Sequence, residues 1–268
     1  MNFTRGTVFV DNSITNTTVN PPSNNYYGYG LKNLVSALVN NVPGLSIQTV
    51  TTSTKDKYDA TLSYKGLLFT LYNTGTYMYI KIGSLSKSDS NTAMYSKSVV
   101  SFMYSDEGVL SFCFTSITTS GVTGGSIVSI IPVEFKLSDG TTKELFWFKA
   151  TTTYSNKLGN IPQFATGRTG LALNLLIDPD SQTRYTFKIS GEDTGPVQEA
   201  KGKSVAVPLT FTNSYGEVVA YNVKGSSPLY LIYPGTVDAL RDWYAGTQVV
   251  YVGSVPYIGI DEFYFIRT

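Results

Sequence analysis

From Leu45 onward, apolar side chains recur at every second position in short runs cut by turn residues, a pattern that strands satisfy and long helices do not. Tyr58 to Tyr64 and Leu67 to Tyr72 are expected strands joined at Lys65-Gly66. Asn73-Thr74-Gly75 then turns the chain into Thr76 to Ile82, giving a meander of antiparallel hairpins. On that last strand Tyr77 and Tyr79 share one face, with Met78 and Ile80 on the other. Val99 to Tyr104 and Val109 to Ser116 form a hairpin around Asp106-Glu107-Gly108, and Thr118 to Ser126 reads as a Ser/Thr/Gly loop. Ile127 to Leu137 and Thr141 to Thr152 make the longest hairpin. A turn centred on Asp139-Gly140 sets Glu134 opposite Leu145, so Glu144 is a near neighbour of Glu134 and not its direct partner. Phe146-Trp147-Phe148 suits a strand buried on both faces.

Upstream of the meander the period is helical. Leu31, Leu34, Val35, Leu38 and Val42 form one apolar stripe over Leu31 to Val42, stopped by Asn40-Asn41 and Pro43-Gly44. Residues 1–29 read as an extended arm: Thr7 to Val10 suits one short strand, and Asn12 to Asn25 is polar and ends near Pro21-Pro22. Tyr26-Tyr27-Gly28-Tyr29-Gly30 is either a surface loop or part of an arm laid on a neighbouring subunit. Irregular sequence from Asn156 to Gly170 is the expected domain boundary. Beyond it, strands are expected at Leu171–Ile177, Arg184–Ser190, Ser204–Thr212, Val218–Val223, Leu229–Tyr233, Gln248–Val252 and Glu262–Arg267, with a short helix at Thr236–Tyr244. The fold class is mainly β: two antiparallel sandwich- or barrel-like domains (30–157 and 158–268), an N-terminal extended arm (1–29), and one amphipathic helix packed on a sheet.

Composition narrows the chemistry. There is no histidine and one cysteine, Cys113, so a Ser-His-Asp triad, a Cys-His pair and a histidine-bearing zinc site are all excluded. Cys113 alternates with Phe112 and Phe114 and reads as a small buried hydrophobe. Asp178-Pro179-Asp180-Ser181 offers oxygens but reads as a turn, without the glycine and distal glutamate of a calcium loop. Ser84-Leu85-Ser86-Lys87 has serine–lysine spacing but sits in a loop after a strand, not at a helix start. Glu134, Lys136, Lys143 and Glu144 read as a solvated face with cross-strand ion pairs. No catalytic, cofactor or metal residue is assigned.

Contact chemistry is what remains. Charged residues are 15% of the chain and the net charge is +1, which gives no basic face for nucleic acid and little repulsion between copies. Tyrosine occurs 20 times, more than a core consumes, and pairs a large apolar ring with a polar tip. Tyr26, Tyr27, Tyr29, Tyr77, Tyr79, Phe263 and Phe265 are the interface candidates.

Taken whole, the chain resembles structural proteins of tailed-bacteriophage particles: tail, baseplate and head-tail connector components. The features that carry the resemblance are the Asn12–Asn25 arm, the Ser/Thr/Tyr meanders, minimal charge, and the absence of histidine and of an export signal, together with the aromatic strand Asp261 to Thr268. It implies a non-enzymatic virion component, made in the host bacterial cytoplasm, that assembles in multiple copies and with other virion proteins through strand edges, aromatic patches and the N-terminal arm. No cofactor, nucleic-acid or membrane partner is expected. Two alternatives are a module that binds carbohydrate, such as a host-surface glycan, or another receptor, and a β-pore-forming protein, suggested by Ser/Thr-rich sequence such as Thr115 to Thr123.

Overall fold

A computed structural model describes residues 2–12, 26–90, 92–118, 121–123, 126–137, 139–152, 171–189, 205–208, 210–212, 218–220, 229–233, 249–259 and 264–267. Strand β1 (Phe3–Asp11) precedes helix α1 (Tyr27–Val39). A five-stranded antiparallel meander follows, β2 (Leu45–Ser53), β3 (Tyr58–Tyr64), β4 (Leu67–Thr74), β5 (Tyr77–Ile82) and β6 (Leu85–Ser90), paired in sequence order. After a short 3-10 turn at Thr92–Met94 come β7 (Lys97–Ser105), β8 (Leu110–Thr118), β9 (Gly121–Thr123), β10 (Ser126–Lys136), β11 (Thr142–Thr152), β12 (Leu171–Ile177) and β13 (Arg184–Tyr185). With β1 they form an eight-stranded sheet in the order β1-β7-β8-β10-β11-β12-β13, with β9 attached to β8. The C-terminal strands are β14 (Lys188–Ile189), β15 (Val205–Pro208), β16 (Phe211–Thr212), β17 (Val218–Ala220), β18 (Leu229–Tyr233), β19 (Val249–Val252), β20 (Val255–Gly259) and β21 (Tyr264–Arg267). They divide into a three-stranded sheet, β14-β16-β17, and a five-stranded one, β15-β18-β21-β20-β19.

Alternation explains how these layers stack. Strands β3 and β4 bury every second residue, and β5 buries Met78, Ile80 and Ile82 while Tyr77, Tyr79 and Lys81 face outward. The buried face of the meander meets Phe112, Phe114, Val128, Ile130, Phe146 and Phe148 on the large sheet. Phe69 bridges the two, its ring centroid 6.2 Å from that of Phe112 and 5.8 Å from that of Phe148. The stripe Leu31, Leu34, Val35 and Leu38 places α1 in this same core. The opposite face of the large sheet carries Met103, Ile131, Val133, Leu145 and Trp147, which pack with Phe211 and Ile258 from the C-terminal strands. Trp147 meets Phe211 edge-on at 5.2 Å. The run Phe146-Trp147-Phe148 is therefore buried on both faces, as its composition requires.

Several expectations need correction. The N-terminal segment is not an arm in its described parts: β1 pairs with β7 over nine residues, and Tyr27 to Tyr29 lie in α1. Asn12, expected to begin a polar arm, is 1% exposed; it donates to the carbonyls of Gly30 (3.3 Å) and Ala93 (2.8 Å) and accepts from Asn33 (3.0 Å). The helix starts four residues earlier than its apolar stripe and ends at Val39. Its early glycines are imposed by packing. A Cβ at Gly30 would lie 1.6 Å from the Met94 carbonyl oxygen, and one at Gly28 would lie 2.4 Å from backbone atoms of Lys57 and Thr54. The expected boundary between 157 and 158 does not separate two sheets, because β12 and β13 pair onto β11 and complete the large sheet. The 118–126 loop contains β9, and Leu85 to Lys87, expected in a loop, are the first residues of β6. The 204–212 strand divides into β15 and β16, which belong to different sheets. The short helix at Thr236–Tyr244 and the polar stretch from 13 to 25 lie outside the described residues.

The long hairpin also differs by one position. Glu134 pairs directly with Glu144. Leu137 N–H donates to the Thr141 carbonyl at 2.8 Å, so the loop holds three residues, with Gly140 at φ +84° as the last. A glycine in the left-handed region at the third loop position marks the three-residue hairpin, which shifts the register from that of a two-residue turn.

Gly30→Ala tests the helix contact against intrinsic propensity. Alanine favours an isolated helix by about 1 kcal/mol. The clash with the Met94 carbonyl is expected to outweigh this, for a net destabilisation of roughly 1–3 kcal/mol in urea unfolding. Lys32→Ala, on the exposed side of α1, is expected to stay within about 0.5 kcal/mol of the native chain.

Candidate functional site

The outer face of the meander collects hydroxyl and aromatic side chains. Alternation and register place them in rows across the sheet: Asp59, Tyr72, Tyr79 and Ser88; then Thr61, Thr70, Lys81 and Ser86. Ser63 and Leu68 lie toward one end, and Thr74 and Tyr77 toward the other. The Thr61 and Thr70 hydroxyls are 3.0 Å apart, a cross-strand hydrogen bond. Tyr72 and Tyr79 stack with centroids 4.7 Å apart and planes 13° from parallel. Tyr77 is 50% exposed and Leu68 39%. Among the described residues the charges in these rows are Asp59 and Lys81.

The stacking direction has a chemical consequence. Facing rings on neighbouring strands each use one flat side on the other, which takes that side away from any ligand. A sugar stacks on a ring laid flat; a protein partner can use edges, hydroxyls and the apolar flanks of Tyr77 and Leu68.

The other tyrosine candidates form a second group at the start of α1. Tyr26 and Tyr29 stack at 6.0 Å, Lys55 Nζ lies 6.0 Å from the Tyr26 centroid, and Tyr27 packs edge-on to Tyr95 at 5.4 Å. Tyr27 is half-buried against the core and Tyr29 is 40% exposed. The loop 54–57 touches both regions. Lys55 O accepts from Gly28 N–H, and Asp56 O accepts from the side chain of Asn73. Among the described residues no ring contact joins the two groups. Phe265 pairs through its backbone with Tyr230 and Gly259 in the C-terminal sheet. Its side chain, and Phe263 altogether, lie outside the described residues. Tyr72 is one of the tyrosines that a core of this size does not consume, and the register of β4 with β5 stacks it on Tyr79.

Several polar groups elsewhere are engaged within the fold, whereas the Ser101 hydroxyl is buried without a hydrogen-bond partner among the described residues. Asp178 is 1% exposed and is gripped by Lys143 Nζ, by Ser181 Oγ at 2.6 Å and by the Asp180 N–H at 3.0 Å. Burial raises its pKa, but these donors prevail and hold the carboxyl at about 2. Lys143 thus pairs with the turn after β12 and not across its own hairpin. Gln182 ties the same turn to the meander, donating to Gly66 O at 3.1 Å and accepting from Leu68 N–H at 3.3 Å. Between the large sheet and the C-terminal strands, the Ser111 and Ser129 hydroxyls lie 3.1 Å apart. Lys149, directly opposite Ser129, has Nζ 5.9 Å from the Trp147 centroid. This buried serine–lysine row escaped the sequence reading, and all three residues are at most 1% exposed. Cys113 is buried as expected, and burial pushes its thiol up to about 12. Among the described residues no group of three or more acidic or cysteine side chains is placed to hold a metal ion.

Asp178 sets an acid limit on the turn after β12, the turn that Gln182 ties to the meander. Its folded pKa, about 2, lies below the ordinary 3.8, so its stabilising contribution is complete above roughly pH 4 and is lost as pH falls toward 2. Asp178→Asn is expected to lower stability at pH 7 and to flatten the dependence between pH 4 and 2, read from urea midpoints across that range. An acid limb of unchanged slope would assign it to other carboxylates.

No protein-family model, curated protein or solved structure matches the chain.

Proposed function

We propose that this chain is a non-enzymatic structural component of a bacteriophage particle, in the tail, baseplate or head-tail connector. It is made in the host bacterial cytoplasm and works by burying its surface against copies of itself and other virion proteins. The observation that carries this reading is the outer face of the meander. There a weakly charged field of Ser, Thr and Tyr, with Tyr77 and Leu68 standing out, lies on a sheet whose other side is locked into the core. The net charge of +1 leaves little to hold copies apart.

Two competing readings fit less well. The glycan module needs flat aromatic platforms, and in the Tyr72–Tyr79 pair each ring covers one flat side of the other. The pore reading needs Thr115 to Thr123 as a mobile strand. In the fold, β8 and β9 pair with each other, and Thr115 donates to the Val99 carbonyl across the large sheet.

Replacing the two most exposed apolar side chains of the face tests the proposal without touching the core. The native chain is expected to sediment well above 29.2 kDa, and to run as a larger species than the Leu68→Ser/Tyr77→Ser variant, with urea midpoints alike. Equal masses for the two would reject the face as an assembly surface. Saturable binding on a glycan array, lost in the same variant, would transfer the face to carbohydrate.

A further inference from the structure

Strand β1 is the outer strand of the large sheet. Its inner edge pairs with β7 from Phe3 to Asp11 without a register shift, and among the described residues no strand pairs with its outer edge. Edge strands are normally blunted by proline, by bulges, by charged side chains or by shortness. This one has nine residues, no proline and no bulge, and it carries Phe9, 59% exposed.

The charges on β1 are self-complementary. Arg5 and Asp11 are of opposite sign, lie equally far on either side of Val8, and share one face with Thr7 and Phe9. We infer that β1 is a docking edge for a second copy of this chain, the two β1 strands pairing antiparallel about a two-fold axis at Val8. In that register Arg5 of each copy lies opposite Asp11 of the other. Asp11 already faces Lys97 across the ladder to β7, so the partner's arginine completes a row alternating in sign. Phe9 lies opposite the second copy's Thr7, and the two Phe9 rings become diagonal neighbours across the axis, within reach of each other. A parallel pairing would set Arg5 against Arg5, and an antiparallel shift of two residues would separate the charges. The charges therefore select one orientation and one register, and Phe9 supplies the apolar contact. An interface of this kind is isologous and closes at two copies.

This inference is independent of the meander face, and the test keeps them apart by using the Leu68→Ser/Tyr77→Ser chain as parent. The parent is expected to sediment at twice 29.2 kDa in a concentration series, with the dimer weakening as salt rises. Adding Arg5→Asp or Asp11→Arg is expected to weaken it at least tenfold. An equimolar mixture of the two charge variants restores a dimer, because each then meets its complement. Val8→Cys is expected to give a covalent dimer on mild oxidation, while the buried Cys113 leaves the parent uncrosslinked. A parent that stays monomeric at all concentrations, charge variants that dimerise as well as the parent, or folded charge variants that stay monomeric when mixed overturn the inference. If Asp11→Arg fails to fold, the cross-link decides alone, and its absence overturns the inference too. A native chain that stops at the dimer rejects the meander face and leaves the β1 edge standing.

Discussion

The rest of the structure hangs on a hairpin that is hydrophobic on both faces. Phe146 and Phe148 enter the core shared with the meander and α1, while Trp147 between them enters the layer shared with the C-terminal strands. Each such aromatic is worth about 1.5–3 kcal/mol when fully buried. Both faces of β10 and β11 must therefore be covered, and a two-layer sandwich covers only one. The meander with its helix supplies one cover, and Phe211 and Ile258 belong to the other. Burying polar side chains in those layers then demands partners. The Ser111–Ser129 hydroxyl pair meets that demand, and Lys149 rests against Trp147.

What was legible in the chain followed from local periodicity. The strands at 58–64 and 67–72, the outward side of β5, the double burial of Phe146-Trp147-Phe148 and the inert Cys113 all follow from period-two alternation, which needs no knowledge of partners. What escaped depends on distant contacts. Thr7 to Val10 reads as a minor strand because its partner, Ser98 to Ser101, lies about ninety residues on. Gly28 and Gly30 read as flexible because propensity disfavours glycine in helices; only the Met94 carbonyl and the Lys57 backbone explain them. The Glu134–Glu144 register turned on a single left-handed residue, Gly140.

The candidate surface shows the same division. That Tyr77 and Tyr79 point outward was readable from alternation alone. That Tyr72 stacks on Tyr79, and that Thr61 bonds to Thr70, required the relative register of three strands. Tyr26, Tyr27 and Tyr29 stand apart from the meander tyrosines because the helix begins at Tyr27 and turns that ring onto Tyr95 and the core.

Scarcity of charge links the proposed surfaces. A chain with 15% charged residues cannot protect every strand edge and sheet face by repulsion, so what it leaves uncovered is prone to contact. Specificity must then come from where the few charges stand. On the meander face Asp59 and Lys81 sit in neighbouring rows around a tyrosine pair, a pattern that orients a partner without dominating the contact. On β1 the spacing of Arg5 and Asp11 about Val8 admits one pairing of two identical strands and penalises the parallel one. Apolar groups, Tyr77 and Leu68 on one surface and Phe9 on the other, provide the contact area that a few charges cannot. Sparse charges set the geometry and exposed rings set the strength, a division of labour that asks for no titrating or metal-binding side chain.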